Sequence, residues 1–213
     1  SIDRVLPDVY KWIDYRALMQ MFIKPTEEVL KKVFLFTAYP DWNPKKEARH
    51  KNYVRVLTRW GYWVDLILWN FKTTTKNFDQ SKNILVDSKW NPTNIKVTPS
   101  FFSFQTKEEK QTDVNLWIHL LKGCFLDEYD IAFIVTADTD LTCAIKMCKD
   151  LYPEKLFILI QPYRKFSDKI RQECDESADI TFDKLNACIL PKDIKIWSDV
   201  VSCPYPYNKI QHP

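Results

Sequence analysis

Short apolar runs alternate along the chain with longer segments in which apolar residues recur every three or four positions. That pattern predicts an α/β protein built from βαβ units, with a mostly parallel central sheet flanked by helices. Tyr10 to Ile23 carries Trp12, Tyr15, Leu18, Met19 and Phe22 on one stripe of a helix that stops near Lys24-Pro25. Val33 to Ala38 reads as a buried strand closed by Tyr39-Pro40. Residues 44 to 60 form a second helix, with Tyr53, Val56, Leu57 and Trp60 on one face and Lys51, Arg55 and Arg59 repeating every four positions on another. Trp63 to Asn70 is a strand. The polar stretch 71 to 107, rich in Thr, Asn and Lys, is expected to be a long loop holding a short strand near Ile95 to Phe104. A helix over 109 to 125 then leads to the strand Ile131 to Thr136, a helix over 141 to 150, and a strand from Leu156 to Ile160. A helix at 167 to 175, a short strand Asp179 to Phe182 and the segment Leu185 to Leu190 close the pattern.

Length narrows the organisation to one domain, because 213 residues can bury one good core and are short for two. Only two glycines, Gly61 and Gly123, occur, which excludes Gly-rich phosphate loops and with them Walker-type NTPases and dinucleotide-binding dehydrogenases. The net charge of +3 is too small to argue for a polyanionic partner by itself. No apolar run approaches the ~18 residues of a membrane helix, and the first residues do not resemble a signal peptide, so a cytoplasmic protein without membrane partners is expected. Six cysteines lack any C-x-x-C pair, and several fall on apolar faces where a thiol acts as a small hydrophobe.

The residues that suggest chemistry are acids. In open parallel sheets ligands bind beyond the carboxyl ends of the strands, and Asp138 and Asp140 follow the strand ending at Thr136. Glu109 and Asp113, four apart, are expected on one face of a helix start. Each acid alone suits a helix cap or a first-turn charge. Clustered, they would repel one another unless a divalent cation lay between them, and hard oxygen ligands favour Mg²⁺ or Mn²⁺.

Taken together, Glu109-Lys110-Gln111-Thr112-Asp113-Val114 and Thr136-Ala137-Asp138-Thr139-Asp140 resemble the NYN family of PIN-like metal-dependent ribonucleases. That family has an E-K-x-x-D-V helix start and a strand ending in S-G-D-S-D. The strand Val33 to Ala38 and the late Leu190-Pro191 are also similar to it. The resemblance implies a PIN-like three-layer sandwich and a metal-dependent endoribonuclease leaving 5′-phosphate and 3′-hydroxyl ends. It implies Asp113 and Asp138 as metal-site carboxylates, Asp140 as a supporting acid and Thr136 as a nearby polar group on the substrate side. Two departures stand out. Ala137 replaces the usual Gly, and the family's opening strand, ending in D-G-x-N and contributing a metal-site Asp, has no counterpart. That strand is central in the family's sheet. It is expected to come from polypeptide upstream of Ser1 or from another chain, a homo-oligomer being one way to supply it.

Two other functions fit parts of the sequence. Asp138-Thr139-Asp140-Leu141-Thr142 matches the D-x-D-x-T signature of haloacid-dehalogenase-like phosphatases, with Asp138 as nucleophile, but the ~70 residues that follow are few for the rest of that fold. A non-catalytic RNA-binding or scaffolding protein would explain the missing acid. The candidate RNA contacts are Lys51, Arg55 and Arg59, with Lys110 beside the acids; the sequence does not separate RNA from DNA. His50 and His119 read as packed or surface residues; Trp12, Trp60, Trp63 and Trp117 read as core, and Trp42 and Trp90 as the better stacking candidates.

Overall fold

The computed structural model describes residues 7–59, 62–87, 91–109 and 112–207, which fall into two compact units, Asn70–Lys110 and the remainder of the chain. The larger unit begins with a 3-10 turn, Asp8–Lys11, and α1, Tyr15–Gln20. The single helix expected over 10 to 23 is broken because residues 12–14 pair with 188–190: Asp14 donates its N–H to Cys188 O at 2.8 Å, and Leu190 to Trp12 O at 3.0 Å. Asp14 then caps α1 by accepting from Ala17 N. β1, Val33–Ala38, has the expected bounds, and α2, Pro44–Leu57, starts where Asn43 accepts from Lys46 N with Pro44 in the first turn. β2, Val64–Trp69, pairs in parallel with β1 along its whole length.

Beyond the smaller unit come α3, Thr112–Phe125, and β5, Ile131–Val135; a 3-10 turn, Thr139–Leu141, runs into α4, Thr142–Leu151. β6, Leu156–Gln161, follows, then α5, Asp168–Arg171, shorter than the helix expected over 167 to 175. β7 is Glu176–Asp179 and α6 is Phe182–Ala187, each starting about three residues earlier than the sequence pattern suggests. A final antiparallel hairpin joins β8, Asp193–Ile196, to β9, Asp199–Ser202. β5, β6 and β7 form a parallel sheet in that order.

Strand alternation distributes this core over two faces. Ile134, Phe157 and Leu159 pack under Leu120 and Cys124 of α3 and Ile145 and Cys148 of α4. Ile131, Phe133, Ile158 and Ile160 point the other way, against Ile13, Leu18 and Met19 near α1 and Leu185 of α6. Each large apolar side chain buried this way contributes about 1.5–3 kcal/mol, and covering both faces is the usual condition of a parallel sheet.

The continuous central sheet expected from the sequence is not found among the described residues: the parallel strands form two separate sheets, β1-β2 and β5-β6-β7. α3 nevertheless spans both, since His119 lies against Phe34 and Phe36 of β1 while Leu120 and Cys124 cover β5 and β6. On the opposite face Val33 of β1 joins the cluster of Ile131 and Phe133 of β5. Lys32 and Glu128, just ahead of β1 and β5, approach to 3.8 Å. β1 and β5 therefore share α3 on one face and the cluster around Ile131 on the other, and among the described residues no ladder joins them. The exposures agree: β6, paired on both edges, is buried from Phe157 to Gln161, whereas β5, equally apolar, is only half-buried at Ile131–Phe133 and leaves Val135 45% exposed.

In the smaller unit the expected loop over 71 to 107 is instead a long antiparallel ribbon of β3, Phe71–Asp79, and β4, Phe101–Glu109, joined by an irregular segment. Its threonines favour an extended backbone, and Phe78 stacks on its cross-strand partner Phe102 at 5.0 Å. Because β4 runs through Glu109 and α3 starts at Thr112, Glu109 and Asp113 do not share a helix face as the sequence suggested.

Candidate active site

A cleft of about 750 Å³ opens where β5 and β6 end, lined by Thr136, Ala137, Asp138 and Thr139 from one strand end and by Pro162, Tyr163 and Lys165 from the next. Tyr10, Ile13, Tyr15 and Leu18 supply the wall on the side of α1. The position is the one at which parallel sheets present ligands.

Local hydrogen bonds shape the strand end. Asp138 donates its N–H to Thr136 Oγ1 at 3.0 Å, and its own Oδ1 accepts from Asp140 N at 3.0 Å, capping the 3-10 turn. Thr142 Oγ1 donates to Thr139 O at 2.9 Å and ties this turn to α4. One oxygen of the Asp138 carboxylate thus has a structural duty in the turn. Asp138 and Asp140 are both solvent-exposed.

Asp113 lies in the first turn of α3, a helix that contacts the 3-10 turn carrying Asp140. Even so, among the described residues no group of three or more His, Cys, Asp or Glu side chains is arranged to hold a metal ion. The described residues therefore do not by themselves fit a Mg²⁺ or Mn²⁺ centre. Asp138 and Asp140 are brought to one strand end, and the three-acid set Asp113, Asp138 and Asp140 is not assembled as a metal site. Lys110 lies outside the described residues, as do Trp60 and Trp90.

The basic ladder has a different character from the one expected. Lys51 pairs with Glu47 at 2.6 Å, a hydrogen bond that raises its pKa, and stands over the Tyr39 ring. Arg55 pairs with Asp199 of β9. Both cations are engaged, because α2 carries its own acid and the terminal hairpin brings another. Arg59, beyond the end of α2, has no ion-pair partner among the described residues.

His50 and His119 are built into the packing: His119 Nδ1 lies 2.9 Å from Asn115 O beneath the β1 phenylalanines, and His50 Nε2 lies 3.2 Å from Thr37 Oγ1. Trp12 is core, its Nε1 donating to Pro191 O at 2.9 Å. Trp63, by contrast, is 61% exposed with Arg16 over its ring, which corrects its assignment to the core. Cys124, Cys148, Cys188 and Cys203 are buried; burial and the neighbouring Cys124 push the Cys148 thiol up to about 12.

Sequence reasoning missed Tyr10, Tyr15, Tyr163 and Lys165. For the last two the signal was available: they follow β6 as Asp138 follows β5, and the strand-end rule that selected one applies to the other.

No protein-family model matches the chain, and no curated protein matches it. Among solved structures, a protein of unknown function from Vibrio parahaemolyticus is 15% identical over 80% of each chain, with a TM-score of 0.47. No helix among the described residues is long and apolar enough to cross a membrane.

Proposed function

We propose that this chain is a PIN-like ribonuclease of the NYN type, acting on RNA phosphodiester bonds at the carboxyl end of β5. The observation that carries the proposal is the placement of Asp138 and Asp140 just beyond β5, where Asp138 lines the cleft. In the proposed fold one further strand lies between β1 and β5 and completes a three-layer sandwich, and the resemblance assigns an additional acid to its end.

Two apolar parallel strands, each paired on one edge only among the described residues, support this reading, because unpaired backbone in the middle of a covered sheet is costly. The chain's own residues would contribute the Asp138 oxygen free of the turn, able to accept a proton from an attacking water, and the positive charge of Lys165 beside the phosphate. The resemblance implies a divalent ion that would stabilise charge on the phosphodiester; among the described residues Asp113, Asp138 and Asp140 do not form its site, so the additional acid of the further strand would be needed to complete it.

A second reading, an RNA-binding protein without catalysis, is favoured by the absence of a three-acid group among the described residues. Incubating the chain with end-labelled single-stranded and structured RNA, in Mn²⁺ and in chelator, separates the two. Metal-dependent cleavage leaving 5′-phosphate ends supports the nuclease; RNA bound but uncut under both conditions supports the second reading. Asp138-dependent release of phosphate from a small phosphomonoester, with RNA untouched, would instead select the phosphatase motif.

A further inference from the structure

We propose that a second cleft, remote in sequence from the acids, is a base-stacking subsite for single-stranded RNA, with Trp197 as the platform and Arg59 and Lys195 as the phosphate contacts. This rests on the RNA reading above and adds to it a place where the strand is held.

The cleft, about 330 Å³, lies between the end of α2 and the β8–β9 hairpin and is lined by Val56, Arg59, Tyr62, Ile194, Lys195, Ile196 and Trp197. That volume falls within the ~300–1,000 Å³ of small-ligand clefts. Val56, Ile194 and Ile196 are buried and give it an apolar floor. Arg55 pairs with Asp199 across its edge, fixing the helix to the hairpin. No acid lines the cleft, and neither Arg59 nor Lys195 has an ion-pair partner among the described residues.

Trp197 is the anomaly. Ile196 pairs with Asp199, so Trp197 and Ser198 alone make the turn, and Trp197 has φ 58°. The first central position of a two-residue hairpin with positive φ is ordinarily glycine, because a side chain there strains the backbone. A tryptophan at this position is 77% exposed, so packing does not explain it. An exposed indole on a two-residue turn, beside Tyr62 and two cations without an ion-pair partner among the described residues, has the composition that binds single-stranded nucleic acid. The ring stacks on a base of any identity, and the cations neutralise the backbone. Among its described lining residues the charged ones, Arg59 and Lys195, are both cations, which favours a polyanion over a protein partner.

The test is fluorescence anisotropy of labelled dodecauridylate titrated with the whole chain in chelator, at several salt concentrations. Trp197→Asn removes the ring while suiting the left-handed backbone, so the turn is kept. We expect it to weaken binding about tenfold, and Arg59→Gln to lower the slope of log K against log salt by about 0.7. Wild-type chain that binds no RNA overturns both this subsite and the RNA reading. Tight binding left unchanged by Trp197→Asn and Arg59→Gln overturns the subsite alone. Competition by hexaglutamate as effective as by unlabelled oligonucleotide would reduce the cleft to a plain cationic patch and overturn the stacking role.

Discussion

Gly123→Ala in α3 should destabilise the protein, although the same change in an ordinary helix interior stabilises by about 1 kcal/mol. A Cβ at position 123 would lie 2.4 Å from Tyr129 Cε1 and 2.9 Å from Cδ1. Ordinary contact begins near 3.4 Å, so the ring would have to retreat by about 1 Å, the difference between 3.4 and 2.4. It has little freedom to do so. The Tyr129 hydroxyl donates to Leu120 O at 2.8 Å and lies 2.9 Å from Cys124 Sγ, while the ring stands edge-on to Phe157. Overpacking costs about 1–3 kcal/mol and a lost hydrogen bond about 1 kcal/mol more. Set against the helix-propensity gain, the net is about 1–3 kcal/mol of destabilisation, or a fall in Tm of about 2–12 °C for a chain of this size. Thermal unfolding followed by circular dichroism measures it. Combining the change with Tyr129→Leu should cost less than the two single changes added together, because the second removes the atoms that clash. A Tm for Gly123→Ala equal to or above that of the wild type would refute the packing described for this helix.

Two further outcomes are expected. Burial pushes the Asp175 carboxyl up, but the Lys149 ammonium at 2.6 Å and the Phe157 N–H at 2.8 Å outweigh it and hold its pKa below 3.8. A carboxyl depressed on folding stabilises above its unfolded pKa, so Asp175→Asn should cost about 1–2 kcal/mol at pH 7. That difference should close as pH falls below 3.8 through the folded pKa; urea titrations of both proteins at pH 7 and pH 3 that keep the same gap would refute the assignment. In hydrogen exchange, β6 should be protected at every residue, whereas β1 and β5 should alternate between protected amides facing their single partner and fast amides facing the open side. Continuous protection along β5 would mean that its second edge is already paired.

How much of this was legible in the sequence depended on which interactions were local. Val33–Ala38 and Leu156–Ile160 are uninterrupted apolar runs between turn residues, and they are strands as read. The acids following β5 were likewise visible, because their position needs only the strand that precedes them. The ribbon over residues 71–109 was not, since Lys72, Thr73, Thr75, Lys76 and Asn77 give no apolar alternation and its pairing rests on backbone hydrogen bonds and on Phe78 with Phe102. The break after Trp12 depends on residues 188–190, far along the chain. Arg55 looked like a free cation until the last hairpin brought Asp199 to it. Trp63 looked like core because hydrophobicity alone does not reveal that a residue precedes a strand with φ 47° and faces outward.

Asp138→Asn tests the proposed chemistry most directly. Asparagine keeps an oxygen to accept from Asp140 N and so retains the turn, while it loses the charge and the proton-accepting capacity. With labelled RNA and Mn²⁺, cleavage should fall by at least about 100-fold at an unchanged Tm. Cleavage at the wild-type rate by the same variant would contradict it.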